Sequence, residues 1–361
     1  MSVTRQTSTD GNMPLPASTS SVIFGRQDYV SVLLRLIGVE LYKIRRRVMS
    51  KVLGSIAIAI SVLIFVVISL GTIYVLNAPP ESFAPPCQGS SIPGSRPQGS
   101  PPQEGPSSNC PQLSAAQLAQ LRQDALLGVS APLRLPLSLN IIVQFVLSAG
   151  TILIIILIGA TAGGEYSIGT VRLLFTRGPT RTQFLLSKLG ATIICIAIGI
   201  LTMSIVGILT GQALNLLSGI AQSFGFLSAA WVAHTMLYLL ITMLDWFMYA
   251  AIAIFFGILG RSTVAGIVGA MTWLFVEPIL GGVLRLAGSF SNGPFVDFLK
   301  SIPDYFIGNN IGALLQNQGQ YIFGGSGSTL SNLHALIVLA VYLIAFIGLA
   351  WRFNERRDVT N

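Results

Sequence analysis

Few side chains in this sequence could do chemistry, and most of them stand inside apolar runs. Asp245 lies near the middle of one such run, and Glu277 precedes Pro278 in another. His234 comes 11 positions before Asp245, three helical turns away and on the same helix face. A carboxylate at a bilayer midplane costs about 2.5–3.5 kcal/mol, so Asp245 must be paired, protonated or turned to a polar cavity. Two roles follow for it: a substrate or proton pathway, or an interhelical hydrogen bond. Glu277 has the same choice, between lining the outer end of a pathway and stabilising the kink that Pro278 imposes. His334 stands in a further run, and no Cys/His/Asp cluster has metal-ligand spacing. The glycines of Phe323–Ser328 lack the lysine of a phosphate loop, and neither H-E-x-x-H nor G-x-S-x-G occurs. A nucleotide hydrolase and an intramembrane protease are thereby excluded. The chain is expected to be no enzyme and to carry no cofactor.

One polar segment is richer. It reads Gly163-Gly-Glu-Tyr-Ser-Ile-Gly-Thr-Val-Arg172, continues through Leu174 and Gly178-Pro179 to Thr180-Arg181, and ends at Lys188. Gly163 and Gly164 are expected to loosen the end of the preceding helix. Thr170 can cap a short helix reaching about Thr176, Gly178-Pro179 breaks the chain, and Thr180 with Gln183 forms a capping box that opens the next helix. The product is a short helix carrying Arg172 between two long ones, a lever that a soluble partner could push.

The elements that must position these residues are membrane spans. Hydrophobic residues make up 52% of the 361, and Asp, Glu, Lys and Arg only 9%, against roughly 25% charged in a soluble domain. Mean hydropathy is +0.72. Apolar runs of span length recur at Val52–Leu76, Leu137–Ala160, Leu189–Ala213, Trp231–Leu259, Val264–Leu284 and Leu333–Phe353. Disorder, a disulfide-rich secreted fold and a cytosolic enzyme are excluded. The formal charge of +8 is distributed by topology. With both termini cytoplasmic, only Arg96, Arg122, Arg134, Arg285 and Lys300 fall outside, leaving 16 of the 21 basic residues inside. The basic balance therefore serves orientation and attraction to anionic lipid, not nucleic acid.

Residues 1–25 read as a disordered cytoplasmic tail. Over 26–51, Val30, Leu33, Leu34, Ile37, Leu41 and Ile44 take helical spacing among Arg35, Glu40, Lys43, Arg46 and Arg47, which predicts an amphipathic helix lying in the interface. The transmembrane domain covers 52–353 and residues 354–361 form a cytoplasmic tail. The outer loop 77–136 is Pro-, Gly- and Ser-rich at first. It then predicts a short helix over Gln112–Gly128, capped by Ser114. The outer loop 285–332 is expected to hold one or two short interfacial or re-entrant helices, over Pro294–Ile302 and Tyr305–Leu315. Cys87 and Cys110 share the first outer loop, where a disulfide is plausible beside the alternative of two free thiols. Cys195, inside the third span, is expected to pack as a small apolar residue.

The pattern Glu165-Tyr166-x-x-Gly169-Thr170-x-Arg172-x-Leu174, followed by Arg181 and Lys188, resembles the first cytoplasmic loop of the ABC-2 type permeases. The basic helix before the first span resembles the connecting helix of that family, and the six-span layout with a long last outer loop agrees. The long Pro-rich first outer loop departs from the family's pattern. The resemblance implies an all-α membrane fold in the plasma membrane. It also implies a pair of permease halves, homodimer or heterodimer, with separate ATPase subunits that hold ATP and Mg. In that reading Glu165, Tyr166, Gly169, Thr170, Arg172 and Arg181, in the cytoplasmic loop 161–188, meet the ATPase, and the activity is ATP-driven transport, as an exporter. An ion-coupled secondary transporter using Asp245 and a non-transporting membrane scaffold are the alternatives. The substrate is not legible in the residues.

Overall fold

The computed structural model describes residues 29–83, 113–167, 180–219, 221–290 and 293–356. Among these the chain is 89% helix and has no strand. In chain order the helices are α1 (Tyr29–Arg46), α2 (Val48–Asn77), α3 (Ala115–Ser130) and α4 (Leu137–Phe145), which passes through a π turn (Val146–Gly150) into α5 (Thr151–Ser167). They continue as α6 (Arg181–Leu217), α7 (Ala229–Gly260), α8 (Thr263–Ser289), α9 (Pro294–Ser301), α10 (Ile307–Phe323) and α11 (Asn332–Arg356). Six of these are long and apolar enough to cross a membrane: α2, the continuous α4–α5, α6, α7, α8 and α11.

Burial ranks the spans. In its most apolar stretch α7 is 61% buried and α8 only 11%. Thus α7 is the axis of the bundle, packed by α5, α8, α10 and α11. By contrast α8 turns Val264, Val268, Phe275 and Val283 outward. Where α5, α7 and α8 meet, Gly159, Gly163, Gly257 and Gly266 let the backbones touch, the small-residue contact by which membrane helices pack closely.

The helices overrun the predicted spans because hydropathy marks only their apolar part. α6 begins at Arg181 instead of Leu189, and α2 at Val48 instead of Val52. The capping box of Thr180 with Gln183 forms, and Ser114 caps α3, in a box that Gln117 completes. Helix α3 runs two residues past Gly128 and packs along α2, where the Arg122 guanidinium donates to the Leu76 carbonyl. The amphipathic segment is shorter than 26–51. It closes at Arg46, and Arg47 is extended (ψ 130°) before α2 starts.

Two expectations are corrected. Gly163 and Gly164 do not loosen the helix, since α5 continues through Ser167. Gly163 is instead a packing residue, its missing Cβ leaving room for the Ser262 carbonyl of the α7–α8 turn. Likewise the second short helix of the last loop extends beyond Leu315 to Phe323 and buries Ile307, Ile311, Leu314 and Leu315. Its packing against α7 and α11 prolongs it past the point where its own hydropathy fails.

Candidate functional site

At one end of the bundle α1, the end of α5 and the start of α6 are joined by a closed ring of four charges. Lys43 Nζ donates to Glu40 Oε1 and Glu165 Oε1, each at 2.9 Å. Lys188 Nζ completes the ring to Glu165 Oε2 at 2.8 Å and to Glu40 Oε2 at 3.4 Å. Each carboxylate thus meets two ammoniums and each ammonium two carboxylates, and the charges cancel. Glu40, Glu165 and Lys188 are all buried. The Lys188 ammonium also lies 4.7 Å from the centroid of the Phe184 ring, a position favourable to a cation. Burial opposes the charge of Lys43, but its hydrogen bonds to Glu165 and Glu40 prevail and hold its pKa above the ordinary lysine value of 10.5. Beside the ring, Arg47 Nη1 donates to the Ala160 carbonyl at 3.2 Å and pins the α1–α2 junction to α5.

A second clamp ties the same region to the last helix. Tyr166 Oη donates to Asn354 Oδ1 (2.9 Å), and Asn354 Nδ2 donates to the Arg181 carbonyl (2.9 Å). Arg181 Nη1 in turn donates to the carbonyls of Asn354 (3.2 Å) and Glu355 (2.8 Å). These belong to the last turn of α11, whose acceptors lack partners within the helix and carry the negative end of its dipole. Thr182 adds a bond from its hydroxyl to Glu355 Oε1 at 2.8 Å.

Of the residues singled out in the loop, Glu165 therefore enters the ring and Tyr166 and Arg181 share Asn354. Gly169, Thr170, Arg172 and the short helix expected to reach Thr176 lie outside the described residues, as do Cys87 and Cys110. In the sequence two ring members, Glu40 and Lys43, are only charges punctuating an amphipathic helix. Their signal was present: Glu40 is the sole acid of α1. For Asn354 there was none.

The intramembrane residues take separate partners. Asp245 is buried, and Thr151, the first residue after the π turn, donates its hydroxyl to Asp245 Oδ2 at 3.1 Å. The next residue, Trp246, donates Nε1–H to the Val146 carbonyl at 2.9 Å, at the start of the π turn. His234 Nδ1 lies 2.8 Å from Gln318 Oε1, with its ring stacked on Tyr321. Glu277 accepts from Trp273 Nε1 (3.0 Å) and from the backbone N–H of Gly308 (2.6 Å), joining α8 to the start of α10. It borders a cleft of about 360 Å³ walled by Phe256, Trp273, Phe306 and Tyr342. His234 and Asp245 share a helix but no partner. Cys195 lines an apolar cavity between α2, α5 and α6.

Asp245→Asn tests the intramembrane hydrogen bond. The amide oxygen can accept from Thr151 as the carboxylate does, so thermal melting of the purified variant should stay within about 1 kcal/mol of wild type, the net worth of one such bond. A loss several times larger would show that the carboxylate has an ionic role which this contact does not describe.

No curated protein and no solved structure matches the chain. The family model described as a protein of unknown function (DUF2705) matches residues 135–360, which include α5, the start of α6, the axial α7 and the clamp at Asn354. That is more than half of the chain, which belongs to the DUF2705 family.

Proposed function

We propose that this chain is the membrane half of an ATP-driven transporter of the ABC-2 type, an exporter of the plasma membrane. It works with a second half, the same chain or a related one, and with separate ATPase subunits that hold ATP and Mg. The observation that carries the reading is the framing of residues 168–179. The four-charge ring closes off one side at Glu165, and the Arg181–Asn354 clamp closes off the other. A push on a segment held in this way reaches α5, α6, α1 and α11 together. Glu165, Tyr166 and Arg181 then hold the frame, while Gly169, Thr170 and Arg172 supply the face that an ATPase touches. With both termini cytoplasmic, the positive-inside distribution puts this end in the cytosol, and α1 lies along the membrane surface.

The test is capture of the chain from its native membrane, with mass spectrometry of what copurifies. An ATPase of the cassette type is expected. Arg172→Ala should weaken its association by about 2–5 kcal/mol, the usual cost of truncating one partner of a charge-assisted interface contact, with folding and expression unchanged. An ATPase bound equally well by Arg172→Ala would remove that residue from the interface.

A second reading, the ion-coupled transporter, is favoured by the burial of Asp245 against the π turn, since π turns recur at functional sites. The two readings separate in reconstituted vesicles. The first requires ATP and tolerates Asp245→Asn; the second runs on an ion gradient alone and stops with that substitution.

A further inference from the structure

Between α2, α5 and α6, on the α1 side of the bundle, lies a cavity of about 270 Å³. Its walls are apolar side chains such as Leu53, Ala57 and Ile154, and buried Trp246 closes the back. The room exists because the indole rests on two glycines: a Cβ would come within 2.6 Å of it at Gly150 and 3.1 Å at Gly199. Ile58 and Ile198, 37% and 59% exposed, stand at the lip. The cavity therefore opens sideways out of the bundle, into what surrounds a spanning helix, and not toward an interior channel.

Depth and charge identify the occupant. On α2 the lining runs from Ser50, two residues into the helix, to Ile58. That is about 12 Å of helix, while along α5 and back into α4 the lining runs from Leu157 to Phe145, about 18 Å; the cavity thus spans about half of a hydrocarbon core of about 30 Å, the depth of one leaflet. Its shallow end lies at the α1–α2 junction, where Arg45, Arg46 and Lys51 are exposed beside the Ser50 that lines it. An apolar slot one leaflet deep, with cations at its surface end, is complementary to an acyl chain under an anionic headgroup. We propose that this cavity holds one acyl chain of an anionic phospholipid from the leaflet on the α1 side, its phosphate held by the cations of the α1–α2 junction. Bound there, the lipid would brace Trp246 and the π turn next to Asp245. The assignment does not depend on the transport reading.

Native mass spectrometry of the full chain, titrated with phosphatidylglycerol or phosphatidylcholine of identical acyl chains, tests it. One phosphatidylglycerol should be retained per chain, with phosphatidylcholine about tenfold weaker, in line with a few juxtamembrane cations. Gly54 lines the cavity, and a Cβ there meets nothing within 4 Å. Gly54→Phe should fill the slot and lose the retained lipid. Arg46→Gln with Lys51→Gln leaves the slot intact and should lose only the headgroup preference, which keeps the test independent of how Gly54→Phe folds. In a Cys87→Ser, Cys110→Ser chain, bound phosphatidylglycerol should slow bimane alkylation of Cys195 several-fold. Equal retention of the two lipids, or an unchanged lipid in a folded Gly54→Phe, would overturn the proposal. Protection of Cys195 that follows protein concentration instead of lipid would overturn it too, and would make a second copy of the chain the occupant.

Discussion

Lys188→Met is expected to destabilise the protein by about 3–5 kcal/mol, the cost of leaving buried charge uncompensated when one partner of a buried pair is removed. The Lys188 side chain is 4% exposed and faces both Glu40 and Glu165. Without it two buried carboxylates share the single ammonium of Lys43. Lys43→Met should cost less, because that side chain is 37% exposed and water reaches the site it vacates. Adding Glu165→Gln to Lys188→Met should recover much of the loss, since a neutral Glu40–Lys43 pair remains. The recovery separates charge imbalance from lost packing. Thermal melting in detergent measures all four proteins, and a Lys188→Met chain melting with wild type would dismiss the ring as a structural element. The part Lys43 plays in the ring should be flat across neutral pH. The raised pKa of Lys43 means its contribution is complete below 10.5 and is lost only as pH rises through the higher folded value.

The ring also shows where a sequence stops being legible. Six spans could be read because each is an uninterrupted apolar stretch, and the caps at Ser114 and Thr180 because their partners are three residues away. Lys43 meets Glu165 across 122 positions, and Lys188 meets Glu40 across 148. No spacing rule reaches so far. Glu165 could be singled out, but its direction could not: in the sequence it stands among polar loop residues, whereas in the fold it points inward. The same limit applies to Asn354. It is an unremarkable residue in a polar tail until Tyr166 and Arg181 converge on it. Asp245 was legible as costly, and its relief by Thr151 was not, since that bond spans 94 positions.

These long-range bonds give the α1 end of the bundle its mechanical character. α1 buries only Glu40 and Ile44, with half-buried Ile37 set against Gly190 of α6. Apolar contact of that extent would let a short helix slide. The ring opposes sliding because a one-residue shift of α1 would part Lys43 from Glu165 and Lys188 from Glu40, the two bonds that tie α1 to α5 and α6. At the far side, Arg181 fixes α11 by its last carbonyls, which are available only at a helix end. Both clamps resist translation more than the apolar packing around them does.

Gly163→Ala carries the other large expected effect, and its neighbour supplies the control. A Cβ at Gly163 would lie 2.3 Å from the Ser262 carbonyl oxygen, 2.5 Å from its carbon and 2.6 Å from Thr263 N. All three are backbone atoms, so no rotamer change relieves the contact and α5 must move away from the α7–α8 turn. That turn has little freedom: Arg261 already takes a left-handed φ of 49° and Ser262 caps α8. Overpacking of this kind costs about 1–3 kcal/mol, and Gly163→Val should cost more. At Gly164 a Cβ would find Thr263 Cγ2 at 3.5 Å and Arg47 Nη1 at 3.9 Å, which is ordinary contact. Gly164→Ala should be neutral or slightly stabilising, since alanine is the better helix former. If both glycines served to loosen the helix, as their adjacency in the sequence invites, both substitutions would stiffen it alike. Melting temperatures of the two single variants decide between these accounts. A displaced α5 also carries Glu165, two residues on, away from Lys43 and Lys188, so Gly163→Ala combined with Lys188→Met should lose less than the sum of the two. Strict additivity would mean that the glycine contact and the charge ring are mechanically separate.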